Sequence, residues 1–98
     1  MHHGGAGTTF GALAHGLPQV ILSQGADNYE LAPMCESAGT AITLRAEMLT
    51  PASLATAVRR VLHAEASTAA SRKCAEEIAA MPDAVSVTTA LRSWVPAA

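Results

Sequence analysis

The chain has 98 residues, half of them hydrophobic and only 14% charged, with a formal net charge of −2. That length suits one domain or part of one, and the balance of apolar and charged residues excludes intrinsic disorder. The six Lys and Arg are scattered, with only Arg59-Arg60 and Arg72-Lys73 adjacent, so no nucleic-acid surface is expected; no apolar stretch reaches the roughly 18 residues of a membrane span, and a cytoplasmic location is the default expectation.

The chain opens on His2-His3-Gly4-Gly5-Ala6-Gly7-Thr8-Thr9. Three glycines in four positions let a backbone turn sharply and bring its N–H groups close to a ligand. Thr8 or Thr9 is expected to cap the helix that follows. Unpaired amides at a helix start, the positive end of its dipole, hydroxyls and an imidazole together form a cradle for a phosphate or diphosphate. The loop lacks the Gly-Lys-Ser/Thr ending of a nucleoside-triphosphate loop and the Gly-x-Gly-x-x-Gly spacing of dinucleotide folds. It holds no Lys or Arg, so amides, hydroxyls and His3 must neutralise the anion. A purely structural glycine turn at a strand-helix junction is the alternative.

No charged residue precedes Asp27, which predicts that the first quarter lies in an interior or against a ligand. The helix after the glycine loop should run to His15 and stop at Gly16-Leu17-Pro18. Gln19-Val20-Ile21-Leu22 reads as a buried strand and Ser23 to Ala26 as a loop. Asp27 or Asn28 caps a second helix to about Ser37, ended by Gly39, and Thr40 to Leu44 alternates as a second strand. Loop, helix, strand, loop, helix, strand is a parallel α/β pattern. The first strand of that unit should end at His2 or His3 and is expected to be missing.

The remainder reads as helical. Thr50 caps a helix with Pro51 at its first position, and Leu54, Val58, Val61 and Leu62 share a face. A further helix runs from about Glu65 to Met81, with Cys74, Ile78 and Met81 on one side, and Asp83 caps a last one carrying Val87, Leu91, Trp94 and Val95. These are expected to be packing elements. Cys35 and Cys74 read as reduced thiols on helices, and His15 and His63 as structural or surface residues.

Asp27-Asn28 follows the strand Gln19 to Leu22, on the sheet edge that the glycine loop occupies, and ligands of open α/β sheets bind at that edge. An anion cradle beside a carboxylate and a carboxamide suits a phosphate joined to a polyol such as a sugar. For Asp27 a simple helix cap is the alternative, and capping does not exclude sugar contact.

Three blocks in order, His3-Gly4-Gly5-Ala6-Gly7-Thr8-Thr9, Gly16-Leu17-Pro18-Gln19-Val20 and Gly25-Ala26-Asp27-Asn28, resemble the donor-binding signature of inverting nucleotide-sugar glycosyltransferases of the GT-B fold. Within that superfamily the chain most resembles bacterial macrolide and antibiotic glycosyltransferases of the erythromycin-biosynthesis type, and the helical tail is similar too. The resemblance implies an α/β fold: the second half of a Rossmann-like parallel-sheet domain over 1–49, with C-terminal helices over 50–98. It implies that His3, Gly5, Gly7, Thr8 and Thr9 bind the donor diphosphate and that Asp27 and Asn28 bind the donor sugar, Asn28 standing where glutamine is commoner. Many relatives carry a glutamate at the position of Gly11 that reaches the ribose of a uridine nucleotide; a glycine there leans the donor towards a dTDP-deoxysugar.

No cofactor and no divalent metal are implied, since the nucleotide-sugar is a substrate and the chain has no aspartate-x-aspartate motif. The family's general base and its pocket for a small-molecule acceptor come from an N-terminal domain, expected to be absent here, so no catalytic residue is assigned and the chain alone is expected to be inactive. A stand-alone nucleotide- or phosphate-binding module, or a non-functional relic of a truncated gene, are the alternatives. An exposed sheet edge would favour self-association.

Overall fold

The computed structural model describes residues 1–23 and 28–96, residues 28–30 by their backbone. Strands β1 (Gln19–Leu22) and β2 (Ala41–Leu44) pair in parallel, with Gln19 opposite Ala41 and Leu22 opposite Leu44. Parallel strands need a crossover, which helix α2 (Asn28–Ser37) supplies. On the other edge of β1 the backbone of His2 pairs with it: the His2 N–H donates to the Val20 carbonyl at 3.1 Å and the Leu22 N–H to the His2 carbonyl at 2.8 Å. His2 thus stands where the sequence pattern puts the end of a preceding strand.

Alternation along the two strands sends side chains to opposite faces, and each face is covered. On one, Val20 and Leu44, flanked by Leu22 and Ile42, pack against Leu54, Ala57, Val58 and Val61 of α3 (Pro51–His63). On the other, the fully buried Ile21 meets Leu13 of α1 (Ala6–Ala14) with Ala32 and Cys35 of α2, and Cys74 and Ile78 of α4 (Glu65–Ala79) close over them. A short 3₁₀ turn, Ala46–Met48, links β2 to α3, and α5 (Ala84–Ser93) follows α4. Helices on both faces of a small parallel sheet are the expected α/β architecture.

Helix ends follow their punctuation. Gly16 and Gly39 take left-handed φ values of 69° and 78°. Each closes a Schellman motif: Leu17 and Gly16 donate to the carbonyls of Ala12 and Leu13, and Thr40 and Gly39 to those of Cys35 and Glu36. Thr50 forms a capping box with Ser53, and the Asp83 carboxylate accepts the Ser86 N–H at 2.7 Å.

Four expectations are corrected. The cap of α1 is Gly5 rather than Thr8 or Thr9, because the turn is complete at Gly4, whose φ is 92°, and the chain enters the helix directly. The charge-free first quarter is an interior only in part: Gln19, Val20 and Ile21 of β1 are buried, whereas α1 buries Thr9 and Leu13 and leaves Phe10 53% exposed. Leu62 and Met81 are also exposed. The face of α3 that meets the sheet is 54, 57, 58 and 61, with Ala57 in the place expected for Leu62, and α4 ends before Met81. The face of α5 with Val87, Leu91, Trp94 and Val95 stays exposed and joins neither core cluster.

Candidate functional site

The glycine loop leaves the sheet beside the carboxyl end of β1, since His2 runs parallel to that strand and pairs at Ile21. The first helical hydrogen bond of α1 is from the Thr9 N–H to the Gly5 carbonyl at 2.9 Å. The amides of Gly5, Ala6, Gly7 and Thr8 therefore precede the helical ladder and have no intrahelical acceptor. No side chain caps them, and no carboxylate lies in the first turn. The helix start keeps its partial positive charge.

His3 is exposed and its imidazole lies against the same point. A Cβ on Gly5 would come within 2.7 Å of His3 Nε2, so the bare glycine is what admits the ring. Gly7 is exposed, and a Cβ there would meet nothing within 4 Å. No packing reason requires glycine at that position. Its absent side chain leaves the amides of the first turn open to an incoming oxygen. Thr8 is exposed within the same turn.

Thr9, expected beside Thr8, is fully buried, and its Oγ1 has no hydrogen-bond partner. Consecutive helical residues point about 100° apart, so a helix that starts at Gly5 turns Thr9 inward when Thr8 faces out. Asp27 lies outside the described residues, as does the side chain of Asn28, the first residue of α2. The α2 start follows β1 and so shares the sheet edge with the glycine loop. Gly11 is exposed one turn beyond Gly7, with open space at its missing Cβ.

His2 turns its ring to β1 and to the glycine turn. Its Nε2 is hydrogen-bonded to the Gln19 side-chain carbonyl, and its Nδ1 accepts the Gly4 N–H at 3.0 Å. The sequence pattern places His2 at a strand end, and the bonding of its ring to Gln19 and Gly4 is not legible there. A hollow of about 140 Å³ with a mixed lining, polar at Ser23, Glu36 and Arg45 and apolar at Ala32, Pro33 and Met48, lies outside the sequence expectations.

His15 is exposed at the end of α1 with its Nδ1 2.8 Å from the Gly11 carbonyl, and His63 is exposed at the end of α3. Neither joins the loop. Cys35 is buried and Cys74 half-buried, and both are free. Burial pushes the Cys35 thiol up, with a smaller upward push from Cys74 and an opposing hydrogen bond from Thr40. Among the described residues no cluster of three or more His, Cys, Asp or Glu could hold a metal, and no helix is long and apolar enough to cross a membrane.

Comparison with known proteins bears on this geometry. The profile of the family described as "Erythromycin biosynthesis protein CIII-like, C-terminal domain" matches residues 1–93. Over 87 residues, 89% of this chain, the sequence is 37% identical to 3-alpha-mycarosylerythronolide B desosaminyl transferase of Saccharopolyspora erythraea, of whose length it spans 21%. The fold superposes on glycosyltransferase VinC in complex with dTDP with a TM-score of 0.85 and 30% identity, covering 93% of this chain and 23% of that one. A glycosyltransferase of kitacinnamycin gives 0.86 at 23% identity over 96% of this chain and 24% of its own, a likeness of fold.

Proposed function

This chain belongs to the family of the erythromycin biosynthesis protein CIII-like C-terminal domain, and from that premise we propose that it is the donor-binding portion of an antibiotic glycosyltransferase, holding the diphosphate of a dTDP-deoxysugar at the start of α1. The observation that carries this reading is the set of amides from Gly5 to Thr8, free of intrahelical acceptors, with the His3 ring beside them. Gly5, Gly7 and Thr8 offer N–H groups to the phosphate oxygens, Thr8 adds its hydroxyl, and His3 contacts the diphosphate. Thr9 supports the helix from inside. Asp27 and Asn28 take the role of holding the sugar hydroxyls that the family resemblance implies.

In the complete enzyme the sugar passes to an acceptor hydroxyl by direct displacement with inversion. Negative charge grows on the departing diphosphate, so amides aimed at it bind the transition state more strongly than the ground state. No proton is taken by this portion; the base that activates the acceptor belongs to the N-terminal domain of such enzymes. Gly11 leaves the next turn of α1 without a carboxylate for a ribose 2′-hydroxyl, which supports a deoxyribose donor, and the dTDP complex of VinC supports the same choice.

Calorimetric titration of the purified chain with dTDP and UDP tests this. Saturable binding is expected, tighter for dTDP, with His3→Ala and Thr8→Ala each weakening it about tenfold, or 1.4 kcal/mol. Binding that is absent, or indifferent to His3, would remove the proposal. Sugar transfer by these 98 residues alone would overturn the assignment of the base to another domain.

A further inference from the structure

The side chain of His2 is tied at both ring nitrogens. The Gly4 N–H donates to Nδ1 at 3.0 Å. A backbone amide donates only to a ring nitrogen that carries a lone pair, so Nδ1 is unprotonated and the ring proton sits on Nε2. That N–H then donates to the Gln19 side-chain carbonyl. Gln19 is 2% exposed and its backbone N–H donates to the Thr40 carbonyl at 2.9 Å, while its side-chain nitrogen has no hydrogen-bond partner. The His2 backbone is fixed to β1 by the bonds to Val20 and Leu22. The ring bridges the first residue of β1 and the first residue of the glycine turn.

That first residue decides where the loop goes. Gly4 takes a φ of 92°, a conformation that alanine-like residues resist, and the next residue is already the cap of α1. By accepting the Gly4 N–H, His2 withdraws it from the ligand side and fixes the plane of the His3–Gly4 peptide, the last one before the turn at Gly4. The amides from Gly5 to Thr8, and the place that Gly5 leaves for His3, follow from that plane.

Resting on the diphosphate reading above, we propose that His2 is the positioning residue of the anion loop: as the neutral Nε2–H tautomer, anchored by Gln19, it orients the Gly4 turn and so aims the α1 amides, without touching the ligand. His3 binds and His2 aims. A histidine suits the second task because its two nitrogens, flanking one carbon and diverging in the plane of the ring, accept from the loop and donate to the strand at once.

The test has one arm that needs no variant and no ligand. Nitrogen-15 imidazole spectra of the full chain are expected to show His2 with a protonated Nε2 and a bare Nδ1; the other tautomer, or an average of the two, overturns the proposal. The second arm compares His2→Asn, whose amide oxygen falls near the place of Nδ1 and keeps an acceptor for Gly4, with His2→Gln, which reaches towards Gln19 and leaves the Gly4 amide without one. Exchange of the Gly4 amide is expected to be slow in the parent and the Asn variant and fast in the Gln variant. dTDP affinity is expected to stay within about threefold of the parent for Asn and to fall about tenfold for Gln, the scale of one amide left unpaired. Equal Gly4 exchange or equal affinity in the two variants overturns the role of His2. A parent chain that binds no dTDP instead overturns the diphosphate reading, while the spectrum and the exchange rates still decide whether His2 sets the turn.

Discussion

Gly7→Ala separates what the fold needs from what a ligand needs. Gly7 is the second residue of α1, outside the left-handed region, and an added Cβ has nothing within 4 Å. Helix physics alone favours the substitution: glycine inside a helix costs about 1 kcal/mol relative to alanine, and about half of that is expected in the first turn. For a domain of this size, about 0.5 kcal/mol raises the melting temperature by about 2–4 °C. The donor meets the reverse effect. The methyl group enters the space through which a phosphate oxygen must come within hydrogen-bonding distance of the first-turn amides. Losing one hydrogen bond to a charged group costs about 1.5–3 kcal/mol, so dTDP affinity should fall about tenfold to a hundredfold. Melting followed by circular dichroism and titration by calorimetry on the same preparation read both signs. A higher melting temperature with unchanged affinity would refute the placement of the diphosphate; a lower melting temperature would refute the claim that no packing requires this glycine.

Three further outcomes are expected. Gly5→Ala should reproduce the affinity loss of His3→Ala, since the new Cβ lies 2.7 Å from His3 Nε2 and displaces the ring; in calorimetry the double variant should be no weaker than either single one. Thr50→Ala opens the capping box of α3 and should cost about 1 kcal/mol in urea unfolding, with Ser53→Ala largely redundant once Thr50 is gone. The backbone N–H of Ser86 holds the Asp83 carboxyl below the usual carboxylate range. Its contribution to the start of α5 is therefore complete above the unfolded-state pKa of about 4 and is lost as pH falls through the lowered folded value. Amide exchange at Ser86 should resemble that of Asp83→Ala at acid pH and be slower at neutral pH.

Much of the fold was legible because glycine, proline and capping residues act locally. Gly16 and Gly39 end their helices in left-handed conformations, and Thr50-Pro51 and Asp83 begin theirs where expected. Hydrophobic periodicity was a weaker guide. It groups Leu54, Val58 and Val61 correctly but adds Leu62, because the spacing of apolar residues does not reveal that small Ala57 is the one pressed on the sheet. It also gives α5 an apolar side without saying what that side meets. At the candidate site the choice between Thr8 and Thr9 depended on which residue starts α1. With Gly5 as the cap Thr9 turns inward, whereas a start at Thr8 would leave that assignment open. The different neighbours of the His2 and His3 rings agree with the alternation of an extended chain.

The absence of charge before Asp27 has two causes. Burial accounts for it along β1, but not along α1, most of which is exposed. A comparison within the chain is more telling. α3 and α5 begin on side-chain caps, Thr50 and Asp83, and α4, which lacks one, carries Glu65 in its first turn and pairs the Ser67 amide with the Ala64 carbonyl. α1 has neither a side-chain cap nor an acidic residue. A capping side chain would stabilise its start by about 1 kcal/mol, and a carboxylate in the first turn would add a favourable interaction with the dipole. Either would also occupy or neutralise the amides that a diphosphate would use. An uncharged, glycine-rich helix start is the composition expected where an external anion is to be the cap, and under the proposed function a lysine or arginine there would hold on to the departing diphosphate.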